Sequence, residues 1–201
     1  MWHREMRADE DFEYVSLCKK GDLEAFEALV QKYQKRMLNI ALRMTGSYEE
    51  ACDIVQEVFV SVYRNIGGFE GRAKFSTWIH AIVMNLSRNR LKQMKARLSQ
   101  EPFSLDDPLP AEDGPLRTEP VSGEVSALER LEKKELQGLV QRCVSALDGE
   151  FREVIILRDM QGFSYEEIHD MLKIPQGTVK SRLSRAREAV KDCLKRAMGE
   201  L

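Results

Sequence analysis

Lys180, Ser181, Ser184 and Arg185 fall within two turns of one another in the stretch GTVKSRLSRAREAV. Lysine and arginine donate hydrogen bonds to guanine O6 and N7, and serine both donates and accepts, so the group has the chemistry of a base-edge reader. Val179, Leu183, Ala186 and Val190 recur at i, i+4, i+7 and i+11, an apolar seam along one side of a helix. That seam leaves Thr178, Lys180, Ser181, Ser184 and Arg185 near the start of the exposed side. Arg187 and Lys191, further along, suit phosphates better than bases.

A second group lies in GGFEGRAKFSTW, where Phe69, Phe75 and Trp78 alternate with Arg72 and Lys74. Aromatic faces stack on unpaired bases while nearby cations hold the backbone. Trp78 and Ile79 suit an ordinary core equally well. Asn85, with Arg88 and Arg90 after it, adds a base-edge donor and acceptor followed by backbone cations. The third group, Asp53, Gln56 and Glu57, stands at i, i+3 and i+4 opposite an apolar helix stripe. Polar groups there have no core to serve; they are either a solvated face or a docking surface.

The elements that must position these groups read as helices. Ala25, Phe26, Leu29, Val30 and Tyr33 recur at three-to-four spacing, as do Ala51, Ile54, Val55, Val58, Phe59 and Val62 in the next stretch. Ser47 ahead of Glu50 is expected to form a capping box for the latter. A third helix is expected from about Ser76 to Leu98, capped by Ser76 or Thr77. After it, five of the six prolines fall between Pro102 and Pro120. Such a stretch neither continues a helix nor buries much apolar surface, so a flexible linker is expected over 99–125. The second half reads as a helix over about 126–147, another over EFREVIILRDMQ ended by Gly162, and a short helix boxed by Ser164 and Glu167. The turn KIPQG follows, then a long helix over about 177–198. Short capped helix, tight turn and longer basic helix make a helix-turn-helix layout. The expected fold is all-α: two small helical domains, 10–98 and 126–198, joined by an acidic linker.

Composition narrows the function. The chain has 201 residues, 43% hydrophobic and 32% charged, the balance of a globular protein. Its net charge of −2 hides local extremes. Arg88 to Arg97 carries five bases and no acid; Lys173 to Arg196 carries eight bases against Glu188 and Asp192; the segment 101–126 between them carries seven acids against Arg117. Basic clusters on folded elements suit a polyanion. No apolar run approaches a membrane span, and MWHREMRADEDFEY resembles neither a signal nor a transit peptide, so cytoplasmic residence is expected. Cys18, Cys52, Cys143 and Cys193 lie far apart without a CxxC pair and are expected to be isolated reduced thiols. His3, His80 and His169 are equally scattered. No phosphate loop, HExxH or nucleophile–base spacing occurs, so neither a catalytic residue nor a metal or other cofactor is expected.

The stretch REVIILRDMQGFSYEEIHDMLKIPQGTVKSRLSRARE closely resembles region 4 of extracytoplasmic-function sigma factors of the sigma-70 family. AFEALVQKYQKRMLNIALRMTGSYEEACDIVQEVFVSVYRNIGGFEGRAKFSTWIHAIVMN is similar to region 2 of the same family, and together they cover roughly residues 20–195. The resemblance implies a specificity subunit of bacterial RNA polymerase that directs initiation at promoters and catalyses nothing itself. It implies that Asp53, Gln56 and Glu57 dock on the clamp coiled coil of the largest polymerase subunit, with the flap a further contact. It assigns Phe69, Arg72, Lys74, Trp78, Asn85, Arg88 and Arg90 to the −10 element. Lys180, Ser181, Ser184 and Arg185 match the family's −35 readers, with Thr178 and Arg187 beside them and Arg158 at a phosphate-contacting position. It further implies control by an anti-sigma protein. Ser61 stands where many relatives carry a base, and Asn89 where aspartate is frequent; both leave the promoter sequence open. A two-component or quorum-type regulator would need an α/β first domain that the periodicity before Leu98 does not offer. An adaptor that binds polymerase or an anti-sigma protein without touching DNA is the other alternative.

Overall fold

The computed structural model describes residues 10–100 and 127–199. Asp22 begins the first long helix, its carboxylate accepting the Ala25 amide at 3.0 Å, and Gly46 closes it at φ 78°. The elements are α1 (Phe12–Cys18), α2 (Leu23–Thr45), α3 (Tyr48–Asn65), a 3-10 turn (Ile66–Gly68) and α4 (Phe75–Gln100). The second half holds α5 (Ala127–Ser145), α6 (Gly149–Ile155) running on into a π turn (Ile156–Met160), α7 (Tyr165–Leu172) and α8 (Gln176–Ala197). No strand occurs among the described residues, in keeping with the all-α expectation. Beyond Gln100, the segment expected to be the acidic linker lies outside the described residues.

The periodicity becomes packing. In the first half, α2, α3 and α4 bury Met37, Ile40, Met44, Ile54, Val58, Phe75 and Ile79 with no exposure at all. Each such side chain contributes about 1.5–3 kcal/mol relative to exposure. In the second half, Val154, Ile156, Leu157, Ile168, Val179 and Ala186 do the same for α6, α7 and α8. The two sets belong to one contiguous apolar cluster, so the halves meet along a shared core. His80 is part of that meeting. It is fully buried, its ring 4.7 Å from Phe163 of the second half and 6.2 Å from Tyr33, with Nδ1 2.5 Å from the Ser76 carbonyl oxygen.

Two expectations need correction. Ser76 and Thr77 do not cap α4; the helix already includes Phe75, and both residues lie inside its first turn. The Trp78 amide already bonds the Lys74 carbonyl at 3.1 Å, which puts Ser76 and Thr77 within the turn, and Phe75 ahead of them is fully buried beside Tyr33. The cysteines are not all separate thiols either. Cys143 of α5 and Cys193 of α8 form a disulfide across 50 residues of sequence, while Cys18 and Cys52 are free. Local spacing says nothing about two helices that come to lie side by side.

Candidate nucleic-acid and polymerase interface

The helix-turn-helix is built from local signals. Ser164 Oγ accepts the Glu167 amide at 3.1 Å and the Glu167 carboxylate accepts the Ser164 amide at 2.8 Å, completing the capping box. Lys173 stops α7 in the left-handed region at φ 56°, the one positive-φ residue other than glycine among the described residues. Pro175 then precedes α8, which suits a residue lacking an amide donor. Val179, Leu183 and Ala186 are buried, and Val190 half-buried. Lys180, Ser181, Ser184 and Arg185 are exposed; Thr178 is half-buried and its carbonyl accepts Ser181 Oγ at 3.0 Å. Lys180 Nζ sits 5.6 Å from the Tyr165 ring centroid, a cation–π contact that holds the ammonium near the turn.

Three other cations of this half are engaged within the fold. Arg158 donates to the Phe163 carbonyl at 2.7 Å and lies 4.9 Å over the Tyr165 ring. Arg187 forms a two-pronged pair with Asp159 at 2.9 and 2.6 Å, which holds its guanidinium more firmly protonated than usual. Arg182 pairs with Glu150 at 2.6 Å.

In the first half, Phe69, Phe75 and Trp78 form one aromatic cluster with centroids 5.0–5.9 Å apart. Phe75 is fully buried and belongs to the core; Phe69 and Trp78 are half-buried. Lys19 of the chain after α1 donates to the Phe69 carbonyl at 2.5 Å. Arg72 and Lys74 project into solvent, Arg72 beside Glu70 at 2.5 Å. Asn85 is exposed, and its Oδ1 accepts from Arg88 at 3.4 Å.

Arg88 and Arg90, two positions apart on the same helix, face different partners. Arg90 reaches across to α3, where it bonds Glu50, donates to Glu57 at 2.7 Å and stands 3.8 Å from Asp53. The Glu50 hydrogen bond is the largest cause of its raised pKa. Asp53, Gln56 and Glu57 are exposed and line an open cleft of about 520 Å³, floored in part by Val60 and Leu86. Arg90 thus orders the carboxylates of that face instead of standing free for a phosphate. Arg88 turns to the second half, donating to both carboxylate oxygens of Glu153 at 2.5 and 2.8 Å.

Glu153 is one of two interface residues that sequence reading passed over. Its neighbour Arg152 is 3% exposed and donates to carbonyl oxygens of Met44, Ser145 and Leu147. It thereby closes the end of α5 and also clasps the end of α2. Burial lowers its pKa. Arg43 and Gln141 add a hydrogen bond between α2 and α5 at 3.2 Å. The one sequence signal was the pair Arg152–Glu153 within an otherwise apolar run, where charge demands a partner.

The family comparisons fit this layout. Residues 29–97 match the model for Sigma-70 region 2, and residues 137–190 that for Sigma-70, region 4. The Pseudomonas aeruginosa RNA polymerase sigma-H factor is 33% identical over 194 residues, 96% of this chain and 97% of that one. The Bacillus subtilis ECF RNA polymerase sigma factor SigW is 34% identical, covering 90% and 95%, and the Escherichia coli ECF RNA polymerase sigma-E factor 36%, covering 88% and 90%. The chain belongs to the sigma-70 family, as an ECF sigma factor.

Two solved structures share the sigma factor's fold. CnrH in complex with the cytosolic domain of CnrY gives a TM-score of 0.66 at 21% identity, covering 93% of this chain and 98% of that one. The sigma factor RpoE in complex with the anti-sigma factor NepR from Bartonella quintana gives 0.61 at 21%, covering 85% and 96%. As a sigma factor, the protein works with core RNA polymerase at promoter DNA. No described helix is long and apolar enough to cross a membrane, and no three described His, Cys, Asp or Glu residues converge as metal donors.

Proposed function

We propose that this sigma factor divides its work between its halves, with domain limits at 10–98 and 126–198. The first docks on polymerase through Asp53, Gln56 and Glu57 and reads the −10 element through the Phe69–Trp78 segment, Asn85 and Arg88. The second reads the −35 element through Lys180, Ser181, Ser184 and Arg185, with Thr178 at the start of that row. The observation that carries this reading is the exposed, cationic start of α8 on a capped helix-turn-helix, in the same chain as an acidic face that serves no core. Arg72 and Lys74, both exposed, supply backbone contacts. Arg90 acts on the polymerase side, through Glu50 and Glu57. Arg158 and Arg187 brace the turn and meet phosphate only after exchanging their present partners.

The free chain is closed. Arg88 is held by Glu153, and α7 lies against α4, so the −10 reader is engaged by the −35 module. Core polymerase, by binding each half separately, parts them and fixes their separation on the promoter. The protein works in the cytoplasm, acts by binding alone, and catalyses no reaction. Because solved neighbours of this fold are complexes with partners such as the anti-sigma factor NepR, we assign a similar mode of control to this chain. Run-off transcription with purified core polymerase, followed by start-site mapping, tests the proposal. Specific starts with sites spaced for two readers are expected; absence of association with core would refute it.

A further inference from the structure

We propose that Cys143 and Cys193 are a redox modification site, a dithiol that a low-molecular-weight disulfide converts into a staple between α5 and α8. In the fold their Cα atoms are 5.7 Å apart although 50 residues separate them in sequence. Cys143 is 1% exposed, whereas Cys193 is half-buried. The pair joins the buried end of α5 to the far end of α8, which little else secures. Past Ala186, α8 has no fully buried residue; Val190, Cys193 and Leu194 are half-buried, and Lys195, Arg196 and Ala197 are exposed. On α5, Cys143 and Val144 are buried, but Leu131 and Leu136 stand more than half exposed. A covalent link here fastens α5, the first described element after the linker, to the far end of the recognition helix.

In a reducing cytoplasm the resting form is the dithiol, so closure reports an oxidising shift. Access fixes the order of events. The Cys193 thiolate attacks a small disulfide RSSR, its own proton going to solvent; an S–S bond to one RS group forms and the other leaves as a thiolate, protonated to RSH. The buried Cys143 thiolate then attacks the Cys193 sulfur and releases the second RS group as RSH. The chain loses two electrons and two protons, and RSSR is reduced to two RSH. Stapling residues so far apart restricts the unfolded chain. The oxidised form should therefore melt of the order of 10 °C higher. The −35 module then keeps its fold, and its grip on duplex, at temperatures where the reduced chain has lost both.

The pairing does not depend on the sigma-factor reading; only its consequence for promoter binding does. The test uses the purified full chain, equilibrated with dithiothreitol or with oxidised glutathione. All four cysteines should titrate as thiols in denaturant after reduction. After oxidation only Cys18 and Cys52 should titrate, with a peptide pair linking Cys143 to Cys193. The melting temperature should rise by about 10 °C, return with dithiothreitol, and stay unmoved by oxidant in Cys193→Ser. The wild-type comparison stands even if that variant folds poorly. Four thiols after oxidation, a link through Cys18 or Cys52, or equal melting of both forms would overturn the proposal. Core polymerase binding, measured in parallel, fails separately if the sigma-factor reading is the part in error.

Discussion

Arg88 and Glu153 grip one another through two hydrogen bonds across 65 residues of sequence, the arginine one-third exposed and the glutamate almost wholly buried. A buried carboxylate needs this partner, and Arg88 cannot hold a DNA backbone while it serves as one. On the proposed assignment of Arg88 to the −10 element, the pair couples the contact between the two domains to the masking of that residue.

Glu153→Gln keeps the shape of the side chain and removes its charge. Weakening the joint by roughly 1 kcal/mol should raise the free chain's affinity for a single-stranded −10 oligonucleotide about fivefold, read by fluorescence anisotropy. Transcription by the assembled holoenzyme should change little if, as proposed, core polymerase has already parted the domains there. Unaltered oligonucleotide affinity in a folded variant counts against the closed state as a mask.

Arg90→Met frees Glu50 and Glu57 from their shared guanidinium and leaves three carboxylates to repel one another. Affinity for core polymerase should fall about tenfold, or about 1.4 kcal/mol, with −10 oligonucleotide binding by the free chain nearly unchanged. The reverse pattern, oligonucleotide binding lost and core binding kept, would return Arg90 to the DNA.

Lys180→Ala and Arg185→Ala should each weaken binding by about 1–3 kcal/mol at the base pair contacted and relax preference there. Ser164→Ala, which removes a cap without touching the reading row, should lower stability by about 1 kcal/mol and leave that preference intact. Competition among −35 duplexes differing at single positions separates the two effects. An unchanged preference in both α8 variants would refute the assignment.

His80 gives the joint a dependence on acidity. Burial lowers its pKa from 6.5 to about 4, with Arg36 pushing the same way and the Ser76 carbonyl and Glu167 opposing. Well above pH 6.5 the ring is neutral in both folded and unfolded chains, and it contributes nothing to the pH dependence. Below that, the unfolded chain takes a proton that the folded one refuses, so stability falls progressively toward pH 4. The full loss is about 3 kcal/mol. Melting temperature against pH should show this slope in the wild type and a shallower one in His80→Phe; identical slopes would place the titrating group elsewhere.

The local parts of this protein were legible in its residues. The capping box of Ser164 and Glu167, the stop at Gly162, and the seam through Val179, Leu183 and Ala186 rest on contacts within a few positions along the chain, and the helical period reports those directly. So did the exposed row of Lys180, Ser181, Ser184 and Arg185, since a known seam fixes the opposite face. Trp78 stayed ambiguous, because an aromatic ring at a helix start suits a core or a base equally; the fold leaves it half-buried beside Phe69 and Phe75.

What the residues could not give was anything that depends on one helix meeting another. Arg88 and Arg90 look alike in sequence, two cations two positions apart. Helical geometry turns them roughly 200° from each other, and only the packing of α4 against α3 on one side and the second domain on the other gives each its carboxylate. Arg152, Glu153 and the Cys143–Cys193 link follow the same rule. Periodicity fixes which side of a helix is apolar, but the partner of a buried charge or thiol is chosen by the docking of whole elements, and that is decided in three dimensions.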